Sequence, residues 1–137
     1  MKIVAYSIGF IAVLVLGFAL FVRVAPTDPA RWHQSVQATS DTDLVGGAIR
    51  VRDADPEALA KIDAAARDLP RTRTIAGSVE ERRITYMTRS ALWGFPDYTT
   101  VEYADGTLRA YARLRFGRSD LGVNARRLDT LLRAIEG

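Results

Sequence analysis

The sequence predicts an α+β fold: an N-terminal transmembrane helix followed by a twisted antiparallel sheet of about five strands, covered by two helices. Three observations predict it. Ile3 to Val22 is an unbroken apolar run between Lys2 and Arg23. Several stretches after Pro70 alternate apolar and polar residues at the period of a half-buried antiparallel strand. Two other segments carry apolar residues at helical spacing.

The apolar run comes first. Its twenty residues, at about 1.5 Å each, span ~30 Å, the thickness of a hydrocarbon core. A cleaved signal peptide would have an apolar core of ~7–15 residues followed by a small-x-small site. Here the first candidate site ends at Ala25, Arg23 stands where a small residue is needed, and Pro26 follows. The run therefore reads as an uncleaved signal anchor over residues 1–23. The positive charges flanking it nearly balance. The two-residue tail before it fits an N-terminus left in the cytoplasm, with the C-terminal domain exported. The expectation is a single-pass inner (cytoplasmic) membrane protein with a periplasmic domain.

Residues 24–48 read as a tether, with two prolines, scattered Ser, Thr and Asp, and a Gly46-Gly47 break. Trp32 in this stretch has two readings, a place among lipid headgroups or a cover for one edge of the core. The domain is expected over residues 49–137. Ile49 to Asp53 is a short strand. Asp55-Pro56-Glu57 opens a helix with a capping Asp, a first-turn Pro and an early Glu. Leu59, Ile62, Ala66 and Leu69 form its stripe, and Pro70 stops it. Strands follow at Arg71 to Ala76, Glu81 to Ser90, Tyr98 to Ala104 and Thr107 to Phe116, the last two joined by an Asp105-Gly106 hairpin turn. In the last strand Leu108, Ala110, Ala112, Leu114 and Phe116 face one way, and Arg109, Tyr111, Arg113 and Arg115 the other. A second helix ends the chain, with Leu128, Leu131, Leu132 and Ile135 as its stripe.

Composition excludes several functions. There is no cysteine, hence no disulfide, thiolate ligand or Cys nucleophile. The chain has 19 basic and 16 acidic residues. Val24 to Pro70 holds five basic and eight acidic residues, and Arg71 to Gly137 twelve and eight. That mild excess, on a membrane tether, argues against nucleic acid as a partner. Every basic residue except Lys2 and Lys61 is arginine, which grips carboxylate or phosphate with two parallel donors. No P-loop or dinucleotide glycine motif occurs, and no His, Asp or Glu spacing suits a metal. No cofactor is expected. The one histidine, His33, lies in the tether, away from any Ser-His-Asp arrangement unless the tether folds back.

The segments Thr88 to Val101 (TRSALWGFPDYTTV) and Arg115 to Arg127 (RFGRSDLGVNARR) carry the most distinctive motifs, Gly94-Phe95-Pro96-Asp97 and Gly117 through Asn124. With them the chain resembles the bacterial family catalogued as domain of unknown function 1499. The resemblance covers most of Pro26 to Ile135. It implies an N-terminal hydrophobic segment, a short linker and one small domain, and it implies no activity.

Two loops, 91–97 and 117–124, lie beside the arginine-bearing strands in this topology. The functional reading joins Arg89, Asp97, Arg115, Ser119, Asp120 and Asn124 into a ligand-binding pocket, with Arg89 and Arg115 gripping an anion. The plainer reading makes Ser119, Asp120 and Asn124 helix caps and loop pins. The Arg109–Arg115 face is likewise either a contact for anionic lipid or a solvated side of the sheet. The chain is thus expected to be a non-catalytic envelope module that binds an anionic lipid, another envelope ligand or a membrane-protein partner. The alternative is a hydrolase with a site around Asp97, Ser119 and Asp120, supported by Arg89 and Arg115.

Overall fold

The computed structural model describes all 137 residues. The apolar run forms helix α1 (Lys2–Val24), long and apolar enough to cross a membrane. A one-turn helix α2 (Pro29–Trp32) follows, capped by the Asp28 carboxylate, which accepts the Ala30 N–H at 3.0 Å. The chain then makes strands β1 (Thr42–Leu44) and β2 (Gly47–Asp53), helix α3 (Ala58–Asp68), strands β3 (Thr72–Ser78), β4 (Arg83–Arg89), β5 (Pro96–Ala104) and β6 (Thr107–Leu114), and helix α4 (Val123–Glu136).

All neighbouring strands are antiparallel, in the order β1-β2-β6-β5-β4-β3. The expected α+β architecture is present, with six strands where about five were expected. The extra strand is β1, drawn from the stretch read as a tether. Its three residues are all exposed, so no alternation marks it. The Val45-Gly46 turn folds it back onto β2, which starts at Gly47 rather than Ile49. At the other edge, β3 carries a bulge between Thr74 and Ala76, a common way to blunt an exposed edge.

Period-two alternation decides what each face holds. Ile84 and Tyr86 of β4, Val101 and Tyr103 of β5, and Leu108, Ala110 and Ala112 of β6 share one face. Leu59, Ile62 and Ala66 of α3 and Leu128, Leu131 and Leu132 of α4 close over it as the core. The Tyr86 hydroxyl reaches out of this core to donate to Asp63 Oδ1 at 2.7 Å.

The opposite face is also covered. Residues 25–41 run across it as a strap, so much of the segment expected to be a tether is packed. Val36 is buried and the Trp32 ring stacks on Tyr98 with centroids 4.0 Å apart, which selects the core-covering reading of Trp32.

A core that closes this way predicts a large effect from a single truncation. Leu128→Ala should destabilise the domain by about 2–5 kcal/mol, and Lys61→Ala, on the exposed side of α3, by under about 0.5 kcal/mol. Denaturant unfolding of the two full-length variants in detergent checks both values.

Candidate functional site

The strap has few hydrogen bonds of its own, so its backbone carbonyls need donors. The arginines of the sheet supply them. Arg115 Nη1 donates to the Pro26 carbonyl at 3.0 Å, Arg113 Nη2 to that of Trp32 at 2.5 Å, and Arg109 Nε to that of Ala38 at 2.9 Å. The strap therefore runs antiparallel to β6, held by Arg109 and Arg113 of that strand and by Arg115 just beyond its end. On β4, Arg89 Nη1 donates to Val22 O at 3.3 Å and Nη2 to Arg23 O at 3.2 Å. These carbonyls end α1, where helical acceptors lack partners and a cation suits the dipole.

Polar side chains complete the contact. His33 Nδ1 pairs with Thr85 Oγ1 at 2.9 Å, and Thr85 with Thr100 at 2.9 Å. The Glu102 carboxylate accepts from Ser35 Oγ at 2.9 Å, from the Val36 N–H at 2.9 Å and from Arg83 Nη2 at 2.5 Å. Arg113 has no carboxylate partner. It lies over the rings of Tyr111 and Trp32, at 4.6 and 5.4 Å from their centroids. Its burial lowers its pKa to about 10.

The six expected pocket residues fall into two groups on opposite faces. Arg89 and Arg115 lie on the strap face, bonded as above. Asp97 alternates with Tyr98 and lies on the helix face. It accepts from Asn124 Nδ2 at 3.2 Å and Arg127 Nη1 at 3.3 Å. Burial raises the Asp97 pKa, against the pull of Arg127 and Asn124. Asp120 accepts the backbone N–H groups of Gly122 at 3.0 Å and Asn124 at 2.9 Å, and so caps α4. Ser119 Oγ accepts the Leu121 N–H at 3.2 Å. Asp97, Asp120 and Asn124 thus gather at the start of α4, while the two arginines do not join them. No group of three or more His, Asp or Glu is placed to hold a metal.

A second feature lies where α1 meets the sheet. An open cleft of about 470 Å³ is lined by Arg23, Arg71, Arg73 and Arg89, with Thr72, Met87, Ser90, Ala91 and Gly94. No carboxylate lines it. Arg23 Nη2 donates to the Leu92 carbonyl at 3.0 Å, and Arg71 Nε to that of Arg89 at 3.0 Å. Gly94 has φ of +72°, and a Cβ there would lie 3.1 Å from Arg23 Nε, so glycine serves both the turn and the close approach. Arg50, Arg52, Arg67, Arg83 and Arg127 pair with acids elsewhere, whereas the four cleft arginines form no ion pair. Sequence reading missed Arg71 and Arg73, because only the pairing of β3 with β4 sets them beside Arg89.

The family model described as Protein of unknown function (DUF1499) matches residues 22–135. The chain belongs to the DUF1499 family. The match begins at Val22, so the strap lies inside the DUF1499 region and most of α1 before it. No curated protein matches the chain.

The strap contacts of this DUF1499 domain predict a pH response. Burial, then Arg83, lowers the His33 pKa from 6.5. Glu102 loses solvent on burial, but its bonds from Arg83, Val36 and Ser35 outweigh this and leave its pKa below 4.5. A lowered pKa in the folded state means that the unfolded state binds more protons, so stability falls as pH falls. The His33 contribution is lost below about 6.5, and that of Glu102 as pH drops through its depressed value. Trypsin cleavage after Arg31 cannot be followed in acid. Pepsin cleavage within residues 25–41 of the full-length protein should rise between pH 5 and pH 3, and Glu102→Gln should show much of that cleavage already at the higher pH.

Proposed function

We propose that this protein is a single-pass membrane protein of the bacterial envelope. Helix α1 crosses the cytoplasmic membrane, the domain stands on the periplasmic side, and the arginine cleft binds an anionic group without catalysis. One observation carries the binding reading: four arginines converge on one open cleft, and no acid neutralises them. Guanidinium groups with no carboxylate partner suit phosphate or carboxylate, and the Nη groups of Arg71 and Arg73 keep their donors free. The cleft opens beside the last turn of α1, within reach of headgroups if that helix is embedded. Phosphate-bearing groups at the membrane surface are therefore the favoured ligand class.

The orientation is a separate part of this proposal, and a labelling experiment decides it. The absence of cysteine makes it testable directly. Asp105→Cys places one thiol on the exposed β5–β6 turn. A membrane-impermeant maleimide should label it in cells whose outer membrane alone is permeabilised. Labelling only after the inner membrane is broken would put the domain in the cytoplasm.

The cleft is tested by calorimetry on the full-length protein in phosphatidylcholine nanodiscs, titrated with glycerol 3-phosphate. Loss of a charge-assisted hydrogen bond is worth about 1.5–3 kcal/mol, so Arg73→Ala should weaken binding by about tenfold or more. Phosphatidylglycerol in the disc should compete if the ligand is a lipid headgroup and leave binding unchanged if it is a free phosphate ester. Equal affinity in wild type, Arg71→Ala and Arg73→Ala would remove the cleft as a site.

A further inference from the structure

We propose that the domain is seated in the bilayer surface, through a rim of apolar loop tips around the foot of α1. The proposal rests on α1 being embedded, and its occupant is the headgroup and upper acyl layer of the leaflet from which α1 emerges.

Strand register brings three connections to one end of the sheet. Gly47 pairs with Arg113, Arg89 with Pro96, and Asp97 with Leu114. The β1–β2 turn, the β4–β5 loop and the β6–α4 loop therefore lie together. Hydrogen bonds tie them: Leu114 N–H to Gly46 O at 2.9 Å and Asp120 N–H to Val45 O at 3.2 Å. Arg23 of α1 reaches the Leu92 carbonyl in the same group.

After α1, the large hydrophobic side chains left exposed are Leu44, Val45, Leu92, Trp93, Leu121 and Val123. All six lie at this end, on these three connections or the residues that begin and end them. The flanks of the domain and its far end carry none. Such a distribution is not the scatter expected of an ordinary surface. Leu121 is the sharpest case. It is 84% exposed and held at φ +51°, a conformation that a branched residue rarely adopts. Bonds from its N–H to Ser119 Oγ and from Arg126 Nη1 to its carbonyl hold the backbone there, while the side chain stays uncovered.

Depth follows from the contacts to α1. The rings of Phe95 and Phe116 touch Phe18, with centroids 6.1 and 6.4 Å away, and Phe116 also touches Phe21 at 6.2 Å. Ala19 and Val22 are buried by the domain. Phe18 lies one turn before Val22, about 6 Å along the axis. Loops that touch Phe18 therefore reach the level of the next-to-last turn of an embedded helix. That is the depth at which apolar faces of interfacial segments sit, ~5–10 Å into the headgroup and acyl boundary. Arg118 and Arg126 are exposed beside the rim, where long cationic side chains reach headgroup phosphates while their stems lie on apolar surface.

The test uses the full-length chain in proteoliposomes. Trp32→Phe leaves Trp93 as the only tryptophan. Its emission should be blue-shifted, shielded from acrylamide and quenched by lipids brominated near the headgroup more than by lipids brominated near the chain ends. Leu92→Asp with Leu121→Asp should restore acrylamide quenching severalfold while the chain still floats with the vesicles after a carbonate wash. Leu121→Cys carrying an environment-sensitive dye gives the same reading with Trp32 in place. Trp93 open to acrylamide and untouched by bromolipid, in a chain that floats, would overturn the seating and leave the anchor standing. Trp93 shielded from both quenchers would overturn it too, with a protein surface as the occupant. A chain that does not float would instead overturn the embedding of α1.

Discussion

The structure depends on donors that one face of a sheet provides to a segment with few hydrogen bonds of its own. A stretch of chain that is neither helix nor ladder must find hydrogen bonds for its carbonyls or leave them to water. Here Arg109 and Arg113 of β6, Arg115 just beyond it and Arg89 of β4 reach up as guanidinium groups and take the carbonyls of Val22, Arg23, Pro26, Trp32 and Ala38. Each bond has a charged donor, the stronger kind. The Trp32 ring stacks on Tyr98 beside the Arg113 bond, and the Arg113 guanidinium lies over the Trp32 and Tyr111 rings. Arg113 accepts the cost of burial without a counterion, and its lowered pKa is the mark of that cost.

Because the same face holds both the strap and the end of α1, the junction between helix and domain is a built joint. Arg89 takes the terminal carbonyls of α1, Arg23 reaches back to the β4–β5 loop, and four phenylalanines pack around the contact. A flexible linker would let the domain sample many positions over a membrane. This joint holds one end of it at the foot of the helix. The uncompensated arginine cleft and the apolar loop tips both lie at that end, so the placement of α1 decides what either could meet.

Much of the fold was legible because it rests on periodicity. The stripes of α3 and α4, the Asp105-Gly106 turn and the alternation in β4 and β6 all appear in the chain as patterns. β1 did not, since a three-residue exposed edge carries none. The strap was read as a tether for a related reason: its polar, proline-containing composition is that of a loop, and what pins it comes from residues some seventy to ninety positions away in sequence, such as Arg115 to Pro26. The candidate pocket split because the two faces of a strand alternate. Arg89 belongs with Met87 and Thr85, whereas Asp97 opposes Thr88 on the helix face. That opposition needed the register of β5, which begins at Pro96 rather than Tyr98. Ser119 and Asp120 were legible as caps or loop pins: Asp120 takes the Asn124 N–H in the first turn of α4, and Ser119 pins the loop before it through the Leu121 N–H. Arg71 and Arg73 were invisible as cleft residues, because a third strand must pair before they stand beside Arg89.

The central claim is that the arginine face holds residues 25–41 down and so joins helix to domain. Amide hydrogen exchange of the full-length protein in a lipid bilayer tests it most directly. The amide of Val36, which donates to Glu102, and those of Trp32 and His33 should exchange slowly in wild type and much faster in Arg113→Ala, with β4 and β5 unchanged. Free-chain exchange at those amides in the wild-type protein would contradict the account.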